Sequence, residues 1–197
     1  MSLSFNIAGP CIPGEHYMLP PERRLGRVLQ LIEEHKFFTL HAGRQTGKTT
    51  SLMWLERHLN ASGRWRAMWI DLQTAREQSD PAVAMPAILE AFDRTLRTRH
   101  PELMRPGEAE TDAALRNPTA ALVNYLTELS TLNEGPLVLL LDEADGLVGP
   151  AMVSFLTQLR TGYIARSQTQ FPASAVLVGQ RQVRDDVVSA DDRRALS

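Results

Sequence analysis

Four short apolar runs punctuate the chain: FFTLH from residue 37, AMWIDL from 67, LVLLLD from 137 and SAVLVG from 174. A strand with one face in water alternates apolar and polar residues, whereas a strand covered on both faces is apolar nearly throughout. These runs are of the second kind. Between them the apolar residues return at helical spacing. Leu25, Val28, Leu29 and Ile32 share one face, as do Leu52, Leu55 and Leu59 with Met53. Leu122, Tyr125, Leu126 and Leu129 form a third such stripe, and Met152, Phe155, Leu156, Leu159 and Tyr163 a fourth. Strands that alternate with helices imply an α/β fold, a parallel sheet with helices on both faces.

The punctuation sets the expected bounds. A first helix starts near Glu22, and the second stops near Ser62-Gly63. Residues 81 to 99 read as helix, with Pro86 either delaying its start or kinking it. Residues 101 to 117, rich in Pro and charge, read as a loop. Asn117-Pro118 reads as a helix start, with an N-cap followed by Pro at the first helical position. Residues 150 to 166 read as helix. This divides the chain into an irregular arm over 1–21, a core over 22–190 and a polar tail over 191–197.

Between the first run and the second helix stands AGRQTGKT, Ala42 to Thr49. Strand, Gly-bearing loop and helix are the setting in which backbone N–H groups wrap phosphates and the helix N-terminus adds its positive end. In such a loop Ala42, Gly43, Arg44, Gln45, Thr46 and Gly47 line the phosphates. Lys48 reaches the β- and γ-phosphates, Thr49 places its hydroxyl on Mg²⁺, and Thr50 continues the helix start. The chain holds 21 basic residues, and only Lys36 and Lys48 are lysines. A codon bias accounts for the shortage, yet it marks position 48 as one where arginine was not used. A slim ammonium and a wide guanidinium fork are not interchangeable in a tight phosphate cradle.

The third run ends in Asp142-Glu143. Acidic residues at the C-terminal end of a buried strand face the crevice where open α/β sheets bind ligands. Asp142 suits the Mg²⁺ shell and Glu143 the activation of a water for attack on the γ-phosphate. Adjacent carboxylates repel, so the pair calls for a cation or solvent nearby.

Asp142-Glu143 together with the loop resembles the P-loop ATPases whose second motif ends in Asp-Glu, the AAA+ and STAND group. More narrowly, GPCIPGEHYMLPPERRL followed by GRQTGKTT resembles a set of prokaryotic AAA-like ATP-binding proteins. The resemblance covers roughly residues 5 to 190. It implies a three-layer P-loop NTPase core whose parallel sheet is ordered 5-1-4-3-2, with SAVLVG between the two motif strands. It also implies ATP and Mg²⁺ as ligands. The sequence departs from the pattern at three places. Ala42 replaces the first loop glycine. Gly179-Gln180-Arg181 stands where such proteins carry a polar sensor, for which Gln180 or Arg181 is a substitute. The chain stops where strand 5 and a helical lid would begin, which reads either as a fragment of a longer protein, the favoured reading, or as a minimal version. Tyr17 either caps adenine, as the resemblance suggests, or packs as part of the arm.

A guanine-specific Asn-Lys-x-Asp motif is excluded, since neither lysine follows an asparagine. Arg160 and Arg166, after the second motif, are either arginine fingers that stabilise the transferring phosphoryl or part of a solvated face. Arg44 is a candidate brace of the loop. His16, His35, His41, His58 and His100 lack metal-ligand spacing, and Trp65 and Trp69 read as packing. A net charge of -2 gives no basic field for non-specific nucleic-acid binding. Cys11 alone makes neither a disulfide framework nor a cysteine zinc site. No apolar run is long enough to span a membrane and the N-terminus lacks a signal-peptide pattern, so a soluble cytoplasmic protein is expected. The sequence thus points to an ATPase doing conformational work on a macromolecule, protein or DNA, with oligomerisation through the full-length protein open. A nucleotide-dependent switch with negligible turnover and a P-loop phosphotransferase are the alternatives.

Overall fold

The computed structural model describes residues 4–6, 11, 14–17, 20–41, 43 and 46–179. Ala42, Arg44, Gln45, Gln180, Arg181 and the tail over 191–197 lie outside the described residues. The elements run α1 (Gly26–Glu33), β1 (Phe37–His41), α2 (Lys48–Ala61), β2 (Arg66–Asp71), α3 (Pro81–Arg99), α4 (Glu108–Leu115), α5 (Ala121–Leu132), β3 (Leu137–Asp142), α6 (Gly149–Ala165) and β4 (Ser174–Gly179).

The four strands form one parallel sheet in the order β1-β4-β3-β2. This is the 1-4-3-2 portion of the expected order, with SAVLVG between the two motif strands. Because successive strand residues face opposite sides, the sheet sorts its residues into two cores. Ala67, Val138, Leu140, Val176 and Val178 pack under Leu25, Val28 and Ile32 of the first helical segment and Leu52, Leu55 and Leu59 of α2. Met68, Ile70, Leu139, Leu141, Ala175 and Leu177 pack against α3, α5 and α6 through Phe92, Leu126 and Phe155, among others. Three layers result. Among the described residues no helix is long and apolar enough to cross a membrane.

β2 is an edge strand of the described sheet, and α2 side chains occupy three of its outer backbone groups. Asn60 donates to the Ala67 carbonyl at 2.9 Å and accepts from the Ala67 N–H at 2.7 Å. Glu56 Oε1 accepts from the Trp69 N–H at 2.9 Å. Part of the row of unpaired donors and acceptors that an edge strand presents is thereby satisfied.

Several expected bounds shift. A 3-10 turn over Pro21–Arg23 precedes α1, which starts at Gly26 rather than near Glu22. α3 starts at Pro81 and continues through Pro86, so Pro86 does not delay its start. The ring removes only the N–H that would reach the exposed Ala82 carbonyl, which water can satisfy. The segment expected as loop contains α4. Glu108 and Glu110 in its first turn complement the positive helix N-terminus. Only Ala114 is buried there, so no apolar stripe announces the helix. Asn117-Pro118 forms a turn that closes on the Ala120 N–H at 2.9 Å, and α5 begins only at Ala121. Its first turn is capped from another helix. Buried Gln158 of α6 accepts from the Leu122 N–H at 2.7 Å and donates to the Pro118 carbonyl at 3.0 Å.

Candidate functional site

The site assembles at the C-terminal ends of β1 and β3, where α2 begins. Gly47 caps α2 with φ 79°, ψ 27°, a left-handed conformation that glycine adopts without strain. The Lys48 Nζ donates to the Gly43 carbonyl at 2.9 Å, and the Thr46 hydroxyl donates to the same carbonyl at 2.9 Å. The loop thus folds back over its own lysine. Arg24, which the sequence reading did not single out, donates from both terminal nitrogens to the Thr46 carbonyl at 3.4 Å. It braces the loop from the segment before α1; Arg44, a candidate for such a role, lies outside the described residues.

Thr49 and Asp142 stand 93 residues apart in the chain, and the fold joins them. The Thr49 hydroxyl donates to Asp142 Oδ2 at 2.9 Å. Asp142 is 3% exposed. The Trp69 indole N–H reaches the same oxygen at 3.3 Å, and the Glu143 N–H reaches Oδ1 at 3.1 Å. Burial pushes the Asp142 carboxyl above the ordinary carboxylate range. The three donors pull it back in part, and the charge of Asp71 pushes it up again. Asp71 is the register partner of Asp142 across β2 and β3, so both carboxylates lie on the α2 face. A hydroxyl and a buried carboxylate drawn together are hard oxygen donors of the kind Mg²⁺ takes. A nearby cation would also reverse the penalty that burial sets on the Asp142 charge. The donor set therefore fits the ion.

Glu143 follows in a left-handed conformation, φ 56°, ψ 30°, which costs a non-glycine residue backbone energy. Residues held in such conformations cluster at active sites and ligand clamps. The 3-10 turn over Ala144–Gly146 holds it, and Asp145 of that turn lies against Gly179 at the end of β4.

The other expected residues scatter. Thr50 accepts from the Cys11 N–H at 3.0 Å, which ties the N-terminal arm to the first turn of α2. Tyr17, on that arm, is 54% exposed and pairs with Phe5 at 4.9 Å between ring centroids. Arg160 is exposed on α6 beside Phe37 and Phe38 of β1. Arg166 stacks on Tyr163 and donates to the His35 carbonyl at 2.7 Å, at the end of the sheet opposite the loop. Trp65 is core packing, and Trp69, packed against the same cluster, also turns its indole N–H to Asp142. Its place near Asp142 and that of Asp71 follow from strand register, which no short motif encodes.

A family model described as an AAA domain matches residues 32–186. That span contains the loop, α2, Asp142 and Glu143. Domains of this family are nucleotide-binding and of ATPase type. No curated protein matches the chain.

Proposed function

Because the chain belongs to the AAA domain family, we propose that it binds ATP with Mg²⁺ and hydrolyses it to ADP and phosphate, and that turnover drives a conformational change on a macromolecular partner. The observation that carries the reading is the 2.9 Å bond between Thr49 and Asp142. Two motifs distant in sequence meet at one point, beside a lysine and a glutamate suited to the rest of the chemistry.

Lys48 exchanges the Gly43 carbonyl for phosphate oxygens, and the loop N–H groups with the α2 N-terminus take up further negative charge. Thr49 and Asp142 would hold the Mg²⁺, which when bound neutralises charge on the β- and γ-phosphates. Glu143 orients a water in line with the γ-phosphorus and accepts its proton as the oxygen attacks, while the bond from the γ-phosphorus to the bridging oxygen breaks and ADP leaves with that oxygen. Catalysis here is positioning and electrostatics rather than covalent chemistry.

Lys48→Ala tests the binding half of the reading. Removing the ammonium is expected to abolish ATP binding measured by calorimetry while leaving the thermal unfolding midpoint of the apo chain close to wild type. Unchanged affinity would refute the phosphate role of the loop.

A further inference from the structure

Asp142 Oδ2 has two donors, and one of them belongs to neither nucleotide motif. Trp69 sits in the middle of β2, two residues before Asp71 and on the same sheet face. Its indole N–H points at Oδ2 from 3.3 Å. The indole is a donor only, so this nitrogen can serve nothing but an acceptor, and here the acceptor is a buried carboxylate.

The ring is itself held from several sides. Its own backbone N–H is bonded to Glu56 Oε1 at 2.9 Å, and its strand is paired with β3. The Arg99 guanidinium lies over the ring at 4.6 Å from the centroid. Arg99 is in turn ion-paired with Glu56. With Thr49 and Trp69 on Oδ2 and the Glu143 N–H on Oδ1, donors from three different segments fix the plane of the carboxylate. When the Thr49 oxygen serves a cation, the Trp69 bond still holds Oδ2 in place.

We propose that Trp69 is a positioning residue that orients Asp142 for the Mg²⁺ of a bound nucleotide. The proposal rests on the reading of Asp142 as the metal-shell carboxylate. It concerns the metal-dependent part of nucleotide affinity, not the affinity for the nucleotide alone.

The test is ATP affinity by calorimetry on the full chain, with Mg²⁺ and in excess EDTA. Wild type is compared with Trp69→Phe and with Trp69 replaced by 3-benzothienylalanine, which keeps the ring shape but carries sulfur in place of the N–H. Both replacements are expected to weaken Mg·ATP binding about tenfold, the size of one hydrogen bond to a charged group, while metal-free affinity stays within about twofold. In an Asp142→Ala background Trp69→Phe should add nothing. A sulfur isostere with full Mg·ATP affinity would overturn the proposal, since ring packing alone would then suffice. So would a Trp69→Phe effect that persists without Asp142. If instead wild type binds ATP equally with and without Mg²⁺, the metal reading of Asp142 fails first, and the role of Trp69 falls with it.

Discussion

Glu56→Ala is predicted to be among the most destabilising single changes on α2. Glu56 is 4% exposed, and each of its oxygens is engaged. Oε1 accepts from the Trp69 N–H and meets His100 Nε2, both at 2.9 Å, while Oε2 takes the Arg99 guanidinium. Alanine strands the edge-strand N–H, worth about 1–3 kcal/mol if it finds no partner. It also leaves the buried His100 with only the exposed Glu102 as counter-charge, and breaking a buried pair outright costs about 3–5 kcal/mol. The two figures overlap, and Arg99 is partly solvated, so about 3 kcal/mol is the expectation. At about 2–4 °C per kcal/mol for a chain of this size, the midpoint falls by about 6–12 °C. Glu56→Gln keeps an acceptor for the Trp69 N–H and should cost about half as much.

The pair also fixes the sign of a pH dependence. Burial alone would lower the His100 pKa, but the hydrogen bonds and charges of Glu56 and Glu102 outweigh it and leave the pKa above its ordinary 6.5. A raised pKa in the folded state means that the contribution is fully present below 6.5 and is lost as pH rises through the higher folded value. Urea unfolding followed by far-UV circular dichroism at pH 6.5 and pH 9 measures both effects. The gap between wild type and Glu56→Ala should be wide at the lower pH and narrower at the higher. A variant within about 1 kcal/mol of wild type, the range of an ordinary substitution, or a gap that widens with pH, would refute the reasoning.

Two further changes test how the site is supported. Gln158→Ala removes the cap of α5 and leaves the Leu122 N–H and the Pro118 carbonyl unpaired, for a loss of about 2 kcal/mol in urea unfolding. Gly179→Ala would put a Cβ 2.6 Å from Asp145 Cγ and 2.7 Å from its Oδ1. Displacing that side chain should cost about 1–3 kcal/mol and slow ATP turnover, because Asp145 belongs to the turn that sets Glu143; unchanged stability and rate would show that the turn yields freely.

Much of this architecture is written locally. The continuous apolar runs of β3 and β4 could hardly be anything but covered parallel strands, and the Gly47-Lys48-Thr49 step carries its own geometry. What escapes the sequence depends on partners distant along the chain. α4 has one buried residue and so no stripe to read. The N-cap chemistry of Asn117 looks decisive, but Gln158, 36 residues away from Leu122, decides where α5 begins. Trp69 looks like packing until the register of β2 on β3 sets it and Asp71 beside Asp142. Arg24 lies in the stretch before α1 that carries the resemblance, but nothing local shows that its side chain reaches the Thr46 carbonyl 22 residues on.

The central claim is that Thr49, Asp142 and Glu143 form one working site for Mg·ATP. It is tested most directly by steady-state ATP hydrolysis with Mg²⁺ for wild type beside Glu143→Gln, with Mg·ATP affinity measured on both. The account predicts that wild type turns over, that the variant binds with nearly unchanged affinity, and that the variant's turnover falls by about 10²–10⁴-fold, the weight of one general base. Loss of binding together with turnover would make Glu143 a structural residue, and unchanged turnover would remove it from the chemistry altogether.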